Sequence, residues 1–521
     1  MTLFPNMQEI VRFRAQITAM MGLYFDESKF TTLAKVLHNR MLAHGSDPVD
    51  YLDSLDARSI DEIRTLAREL TVTETYFLRN IAQFDAFAET ALPERLAVRD
   101  GKRKIEVLSA GCASGEEPYS LAITIRERCP YASDSVAISA LDLNPAMLQK
   151  AARARYSNWS LRDLSDEMKK RWFTVDGDSY KLCDSIRKVV SFESRNLTQE
   201  AADFWAPERF DVVFCRNVLM YFSDEQARCA VSRIARAMAP GAYLFLGHAE
   251  TLRGLSNDFH LCHTHGTFYY QRKQRIGLST TSESRQPSQQ LSLQQLQSQS
   301  QLMERRQTTL LSTDTSWIDA IQRASDRIHA LTLIPVAELS DSSVEVANAM
   351  NDNKAPDLQG VFDSLHSEKY KRSLNQLADL PIRHAQDPDV LLLKAVSLSL
   401  GGALAAAEAV CEELLTCDEL NAGAHYVQAL CREGLGDLSG AAEHDQTAAY
   451  LDPRFAMPRL HLGLLARRQN ERDSARNHLE QALLLLHQED AARILLFGGG
   501  FKREALIALC NAELATLGAN P

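Results

Sequence analysis

The chain has 521 residues, of which 45% are apolar and 24% charged. At roughly 150 residues per domain this length calls for three to four domains, and the composition excludes both full-length disorder and a fibrous protein. The net charge of −11, from 57 basic and 68 acidic side chains, argues against a general nucleic-acid binder. That charge is uneven: residues 1–272 carry 34 basic and 36 acidic side chains, whereas residues 388–521 carry 11 and 18. No run of 18 apolar residues occurs, so no membrane-spanning helix and no direct membrane insertion are expected. The N-terminus lacks an apolar stretch of signal-peptide length. Ten scattered cysteines, none in CxxC spacing, read as reduced thiols and a cytoplasmic location.

Residues 6–70 read as a helical module. Ile10, Phe13, Ile17 and Met20/Met21 recur at helical spacing, Phe30, Leu33, Ala34, Leu37 and Met41 repeat the pattern, and residues 61–70 add another amphipathic segment. The chain then changes character. A short strand at 104–108 runs into the glycine-bearing turn 109–115, followed by a helix over 119–128 with Pro118 in its first turn, where the missing N–H does no harm. A strand at 136–141 ends on Asp142, a helix follows over 145–155, and residues 210–215 and 242–246 are further strands. Strands alternating with helices imply parallel βαβ units. Residues 171–192 predict a small antiparallel insertion around the turn at Gly177.

Residues 273–365 form a linker; eight of the 16 residues from 286 to 301 are Gln, a composition that buries too little apolar surface to offset its ordering entropy. A short helix at 317–333 interrupts it. Residues 388–487 contain an internal repeat of 34 residues. Ala395, Ala429 and Gly463 share this spacing, as do Gly402, Gly436 and Asn470, and Ala407, Ala441 and Ala475. Small residues at such sites let the two helices of a hairpin approach closely, and the period matches tetratricopeptide repeats. The aromatic of the fourth position is replaced by Leu391, His425 and Arg459. A partial repeat precedes at 369–387, and residues 491–514 read as a cap.

A glycine turn between strand and helix, Gly111-Cys112-Ala113-Ser114-Gly115, lets a ligand approach the backbone and a helix N-terminus. Asp142, an acid ending the next strand, suits two ribose hydroxyls. Together they point to a nucleoside cofactor; the missing GxGxxG disfavours a nicotinamide. The run Ala110-Gly111-Cys112-Ala113-Ser114-Gly115-Glu116-Glu117-Pro118-Tyr119-Ser120 closely resembles the glycine loop of the CheR family, the chemotaxis-receptor methyltransferases. Leu70-Thr71-Val72-Thr73-Glu74-Thr75-Tyr76-Phe77-Leu78-Arg79, Ala140-Leu141-Asp142-Leu143-Asn144, Phe214-Cys215-Arg216-Asn217-Val218-Leu219-Met220-Tyr221-Phe222 and Gly247-His248-Ala249-Glu250 resemble other blocks of the same family. The repeats and the tail Leu495-Leu496-Phe497-Gly498-Gly499-Gly500-Phe501 resemble the WspC subfamily of surface-sensing and biofilm signalling.

The resemblance implies an N-terminal helical module (1–75), an α/β Rossmann-like class I methyltransferase domain (76–272), the linker, and an all-α tetratricopeptide-repeat domain with a C-terminal cap (366–521). It implies methyl transfer from S-adenosyl-L-methionine to glutamate side chains of a methyl-accepting chemoreceptor-like protein. The acceptor carboxylate has a reference pKa near 4.3 and needs no strong general base, so alignment is the main demand. Thr73, Thr75, Arg79, Glu117, Asp142, Asn196, Leu197, Arg216 and Asn217 fall on cofactor-contacting positions. Thr73 is a departure, because the family usually has Asn there. Arg79 and Tyr221 are the candidates to orient the substrate carboxylate, Arg through its fork of donors. Each has a plainer reading: Arg79 as a structural ion-pair partner, Tyr221 as core, Asp142 as a helix N-cap in competition with Asn144, and Glu116 as a favourable charge at a helix N-terminus. Cys112 is read as a packing residue, since methyl transfer needs no thiol nucleophile. His260, Cys262, His263 and His265 read as an extended stretch with His263 and His265 on one face and Cys262 on the other, not as a metal site. The insertion at 171–192 is either a receptor-docking subdomain, as in the family, or a plain surface hairpin. A concave repeat surface implies a protein or peptide ligand. The alternative to an enzyme is a catalytically weak scaffold acting through its repeats.

Overall fold

The computed structural model describes residues 4–56, 60–101, 103–274 and 358–518. Most of the expected linker, and the helix expected at 317–333, lie outside these residues. The chain divides into two compact units, residues 1–274 and 275–521.

Unit 1 begins with four helices: α1 (Met7–Met21), α2 (Phe30–His44), α3 (Pro48–Asp56) and α4 (Ile60–Leu70). Asn6 starts α1 through a capping box: its side chain accepts the Glu9 N–H at 3.0 Å, and the Glu9 carboxylate accepts the Asn6 N–H at 2.7 Å. The apolar stripes meet in one core of Phe13, Ile17, Met21, Leu33, Leu37, Tyr51 and Leu66, on which Leu143, Tyr221 and Phe222 also pack. Each such side chain contributes about 1.5–3 kcal/mol by leaving water. The helical module therefore shares its core with the sheet's loops. Glu62, on the buried face of α4, is the exception to the stripe. It accepts bonds from Arg40 (2.7 Å), Tyr51 (2.7 Å) and His44 (3.0 Å), which hold its carboxyl at about 2 against the opposing effect of burial.

Helices α5 (Ile81–Ala86) and α6 (Leu92–Arg99) are joined by a π-helical turn and lead into the sheet. The sheet comprises β1 (Ile105–Ala110), β2 (Val136–Asp142), β6 (Val190–Ser194), β7 (Phe210–Cys215), β8 (Met238–Leu246), β9 (Phe259–Thr264) and β10 (Thr267–Arg272). Its order is β6-β2-β1-β7-β8-β10-β9. The first five strands are parallel, and β10 and β9 close the edge as an antiparallel hairpin. Helices α7 (Glu116–Arg128), α8 (Pro145–Arg153) and α11 (Asp224–Ala237) follow β1, β2 and β7. Strand β7 is buried throughout, Asp211 included, which accepts bonds from Arg95 (2.9 Å) and Arg99 (2.7 Å) and ties α6 to the sheet. A second, three-stranded sheet holds β3 (Arg155–Tyr156), β4 (Phe173–Asp176) and β5 (Ser179–Leu182), flanked by α9 (Asp166–Trp172) and α10 (Asp184–Arg187). The expected insertion is thus wider than 171–192 at its front, and its last residues, 190–192, belong to the main sheet beside β2. His265 is also not where alternation put it: it sits in the β9–β10 turn at φ 54° and contacts Glu89 at 2.9 Å, while His263 stacks on Phe268.

Unit 2 is all helical. Three hairpins pair α14 (Pro388–Leu400) with α15 (Leu404–Cys417), α16 (Ala422–Gly434) with α17 (Leu438–Leu451), and α18 (Ala456–Arg468) with α19 (Arg472–Leu486); the members of each class start 34 residues apart. Ala395, Ala429, Ala407, Ala441 and Ala475 are fully buried where the paired helices touch, and Gly402, Gly436 and Asn470 take the left-handed turn between them at φ 79°, 90° and 62°. A preceding hairpin, α12 (Gln359–His366) and α13 (Tyr370–Ala378), begins ahead of the expected domain start at 366. Helices α20 (Ala491–Phe497) and α21 (Arg503–Gly518) follow the array.

Candidate active site

Strand order reverses between β1 and β7: the chain runs outward through β2 and β6 on one side and through β7 and β8 on the other. The carboxyl ends of strands at such a switch point form a crevice. Here it is a cavity of about 730 Å³ lined from the sheet by Gly111, Ala113, Asp142, Leu143, Asn196, Leu197, Asn217 and Tyr221, and from the helical module by Thr73 and residues such as Tyr24 and Phe25.

The glycine loop is set by its neighbours. The N–H groups of Gly111 and Cys112 both donate to Leu141 O, at 2.8 and 3.0 Å, which fastens the loop to the end of β2. Gly111 has φ 78°, and a Cβ there would lie 2.4 Å from Val218 Cγ2, so neither the conformation nor the space admits a side chain. Asp142 accepts the Ala113 N–H on Oδ2 (2.8 Å) and the Asn144 N–H on Oδ1 (2.7 Å). One backbone donor on each oxygen leaves a lone pair on each for a vicinal diol. Burial raises the carboxyl's pKa, and those N–H groups oppose the rise. The cap of α8 is Asn144, whose Oδ1 accepts from Ala146 and Met147, so Asp142 is not consumed as an N-cap. The Asn144 amide also donates to Thr71 Oγ1 at 2.9 Å, joining the first motif to β2.

A polar cluster stands outside the lining. Ser109 donates to Glu117 Oε1 at 2.8 Å, and Arg216 Nη1 lies 3.5 Å from Glu117 Oε2. Arg216 is buried and donates through Nη2 to Arg79 O, while its Nε and Nη1 have no hydrogen-bond acceptor. Burial pushes the Glu117 carboxyl up, against the pull of Arg216, Ser109 and Arg79. The first motif is held in a strained form: Leu78 and Asn80 have φ 55° and 60°, and the Leu78 N–H is bonded to Ser120 Oγ at 2.9 Å. The Arg79 guanidinium donates to Glu74 O at 3.4 Å. Glu116 is buried, bonded to Ser114 (2.7 Å), with its pKa raised by burial. Burial also raises the Cys112 thiol well above its ordinary value, which keeps it protonated.

Of the expected residues, Thr73, Asp142, Asn196, Leu197, Asn217 and Tyr221 line the cavity. Glu117, Arg216 and Arg79 form the adjoining cluster, and Thr75 lies between α4 and α5 outside both. Asn196 is partly engaged: one amide N–H donates to Met20 O at 2.8 Å and its Oδ1 accepts from Thr198 N and Oγ1. Two features were not foreseen. The α1–α2 connection lines one wall of the cavity, pinned by Tyr24 N–H to Tyr221 O at 2.8 Å and by the bridge between Leu23 and Phe222. Glu250, buried, accepts four backbone N–H groups: Asn217 (2.6 Å), Val218 (2.8 Å), Met220 (3.2 Å) and Gly247 (2.7 Å). It fixes the turn after β7, in which Asn217 has φ 57°. The motif 247–250 marked its position but not this task. Among the described residues no group of three or more His, Cys, Asp or Glu is arranged to hold a metal ion, and no helix is long and apolar enough to cross a membrane.

This sheet order and switch-point cavity fit a Rossmann-like methyltransferase. Residues 73–268 match the family model described as CheR methyltransferase, SAM binding domain. The chain is 35% identical over 257 residues to chemotaxis protein methyltransferase 2 of Vibrio cholerae, covering 49% of this chain and 88% of that one. It is 37% identical to the chemotaxis protein methyltransferase of Vibrio anguillarum (41% and 77%) and 31% identical to chemotaxis protein methyltransferase Cher2 of Pseudomonas putida (50% and 97%). The solved structure of MamA 41-end from Desulfovibrio magneticus RS-1 is similar only remotely, with 20% identity, a TM-score of 0.23, and 26% of this chain and 78% of that one covered. The chain belongs to the CheR family of chemotaxis methyltransferases. It is a protein methyltransferase whose methyl donor is S-adenosylmethionine.

Proposed function

We propose that this enzyme esterifies glutamate side chains of a chemoreceptor-like signalling protein, and that its C-terminal unit is a tetratricopeptide-repeat domain of the WspC type, tied to surface-sensing or biofilm signalling. The observation that carries the site reading is Asp142, with one backbone donor on each carboxylate oxygen and the remaining lone pairs available at the cavity.

S-adenosylmethionine supplies a methyl group on a cationic sulfur. Asp142 holds the ribose hydroxyls, and Leu197, Leu143 and Met147 give the adenine an apolar surround. Asn196 borders the adenine beside Leu197, with one amide N–H given to Met20 O and the second left for a polar contact. Glu117 takes the ammonium and the acceptor-less Nε and Nη1 of Arg216 suit the carboxylate of the same methionyl end. Thr73 and Asn217, which line the cavity, complete the contacts. Arg79 and Tyr221 orient the substrate carboxylate, which is ionised near neutral pH and attacks without a general base. The 34-residue spacing of the hairpin starts and the left-handed turns at Gly402, Gly436 and Asn470 support the repeat reading.

The test is to incubate the full chain with methyl-labelled S-adenosylmethionine and the signalling domain of a candidate receptor. Label recovered as methanol after mild alkali is the expected result; alkali-stable label, or label only on small molecules, would refute esterification.

A further inference from the structure

The links within the repeat array are short, but the chain between α19 and α21 is not. After Leu486 it forms α20 and the turn Gly498-Gly499-Gly500 before α21 starts at Arg503. Helix α21 takes the place that the first helix of another hairpin would occupy: it packs on α19, and its Glu513 pairs with Arg467 of α18. Helix α20 is therefore additional to the stack, and it lies against the first helices of the earlier hairpins.

Its seat is specific. The Phe497 ring is 5.8 Å from that of Tyr426 on α16 and 5.0 Å from that of Phe455, the N-cap of α18. Tyr426 donates to Phe497 O at 3.4 Å. Gly423 on α16 leaves room for this ring: a Cβ there would lie 2.9 Å from Phe497 Cζ and 3.2 Å from Leu392 of α14. One turn earlier, Arg493 pairs with Asp452 (2.5 Å) and Glu489 (3.2 Å) and lies 5.0 Å from the Phe455 ring.

The seat is also shallow. Helix α20 has seven residues, too few to be stable alone. Only Ile494 and Phe497 are buried, and Leu495 and Leu496 remain partly exposed. A cavity of about 570 Å³ persists beside it, lined by Phe362 of α12, Arg454, Leu485, Leu496 and Phe497. The following glycines include two with φ 61° and 83°, which form a turn that few other residues tolerate.

We propose that α20 is a built-in, displaceable occupant of the ligand groove, and that the groove receives in its place a helical segment of a partner protein bearing an aromatic ring four residues after an arginine or lysine. The ring replaces Phe497 between Tyr426 and Phe455, and the cation replaces Arg493 on Asp452. This rests on reading the hairpins as a peptide-binding repeat array. Because α20 is tethered, its high local concentration keeps the groove closed to weak ligands.

The test uses full-length chain and a fluorescein-labelled peptide of residues 489–501 added in trans. R493S/F497S, which weakens the internal occupant, is expected to bind the peptide at least tenfold more tightly than wild type, and adding Gly423→Leu is expected to abolish the gain. No gain in a variant with unchanged helical circular dichroism and cofactor binding would overturn displacement. A gain that survives Gly423→Leu would place the peptide elsewhere and overturn the groove reading itself. Hydrogen exchange on wild type gives an answer independent of the variants: α20 amides are expected to exchange at least tenfold faster than those of α19 and α21, and equal protection would overturn the proposal.

Discussion

Glu250 shows how one carboxylate can organise a site without facing the ligand. Its four N–H partners lie on the turn after β7 and the end of β8, so it joins two strands and fixes Asn217 in the left-handed region. Glu250→Gln replaces one acceptor oxygen by a donor aimed at N–H groups. It is expected to cost about 1–3 kcal/mol in urea unfolding and to weaken cofactor binding at least tenfold, with Glu250→Asp restoring part of both. Unchanged cofactor affinity would confine Glu250 to a structural role. Gly111 and Asp142 stood out in the sequence as a glycine turn and an acid ending a strand, and both line the cavity. Glu250 was visible only as part of a motif, since its acceptor role depends on backbone about thirty residues away. Residues 21–32 gave no local sign that they line the cavity; the hydrophobic pattern of α1 and α2 reads equally well for an independent bundle.

Among the elements, strands β1, β2 and β7 and the repeat helices were readable because their burial is continuous or periodic. The reading failed where a turn or a tertiary partner overrides the pattern. His265 leaves the strand at the β9–β10 turn, β3 joins the small sheet from outside the expected insertion, and α20 lies outside the repeat stack. A buried ionic group was equally invisible: His461 on α18 is fully buried, with Nδ1 2.6 Å from Asp445 of α17 and Nε2 3.3 Å from Glu433 of α16. Burial opposes its charge, but the two carboxylates prevail and raise its pKa to about 9, from an ordinary 6.5. A raised histidine stabilises fully below its unfolded value and loses that contribution as pH rises through the folded one. Burial raises Asp445 to about 6, so its ionisation also costs stability as pH rises. Calorimetry of the full chain is expected to show the repeat unit's melting temperature falling between pH 7 and 10, with a flatter profile in His461→Gln/Asp445→Asn. His461→Ala at pH 7 leaves Asp445 buried without its cation, while Glu433 keeps Arg468, and is expected to cost about 3–5 kcal/mol.

At the scale of the whole molecule, the methyltransferase fold and the helical repeats are separate compact units, each with its own core. The acidic excess falls on the second: residues 388–521 carry 18 acidic and 11 basic side chains, while residues 1–272 are close to balance. The two-unit division was legible because the glutamine-rich segment and the change of period separate two different hydrophobic patterns. The helical module was not legible as part of the first unit, since Leu143, Tyr221 and Phe222 come to its core only through the fold. Truncation after residue 274 is expected to leave cofactor affinity within about twofold of the full chain; loss of binding would mean that the repeats complete the site. The most direct measurement is calorimetric titration of S-adenosylmethionine into wild type and Asp142→Ala. Wild type is expected to bind one cofactor per chain and Asp142→Ala to bind about 100–10,000-fold more weakly, the cost of two hydrogen bonds to a charged group at about 1.5–3 kcal/mol each. An Asp142→Ala affinity equal to wild type would contradict the placement of the cofactor at the carboxyl ends of β1 and β2.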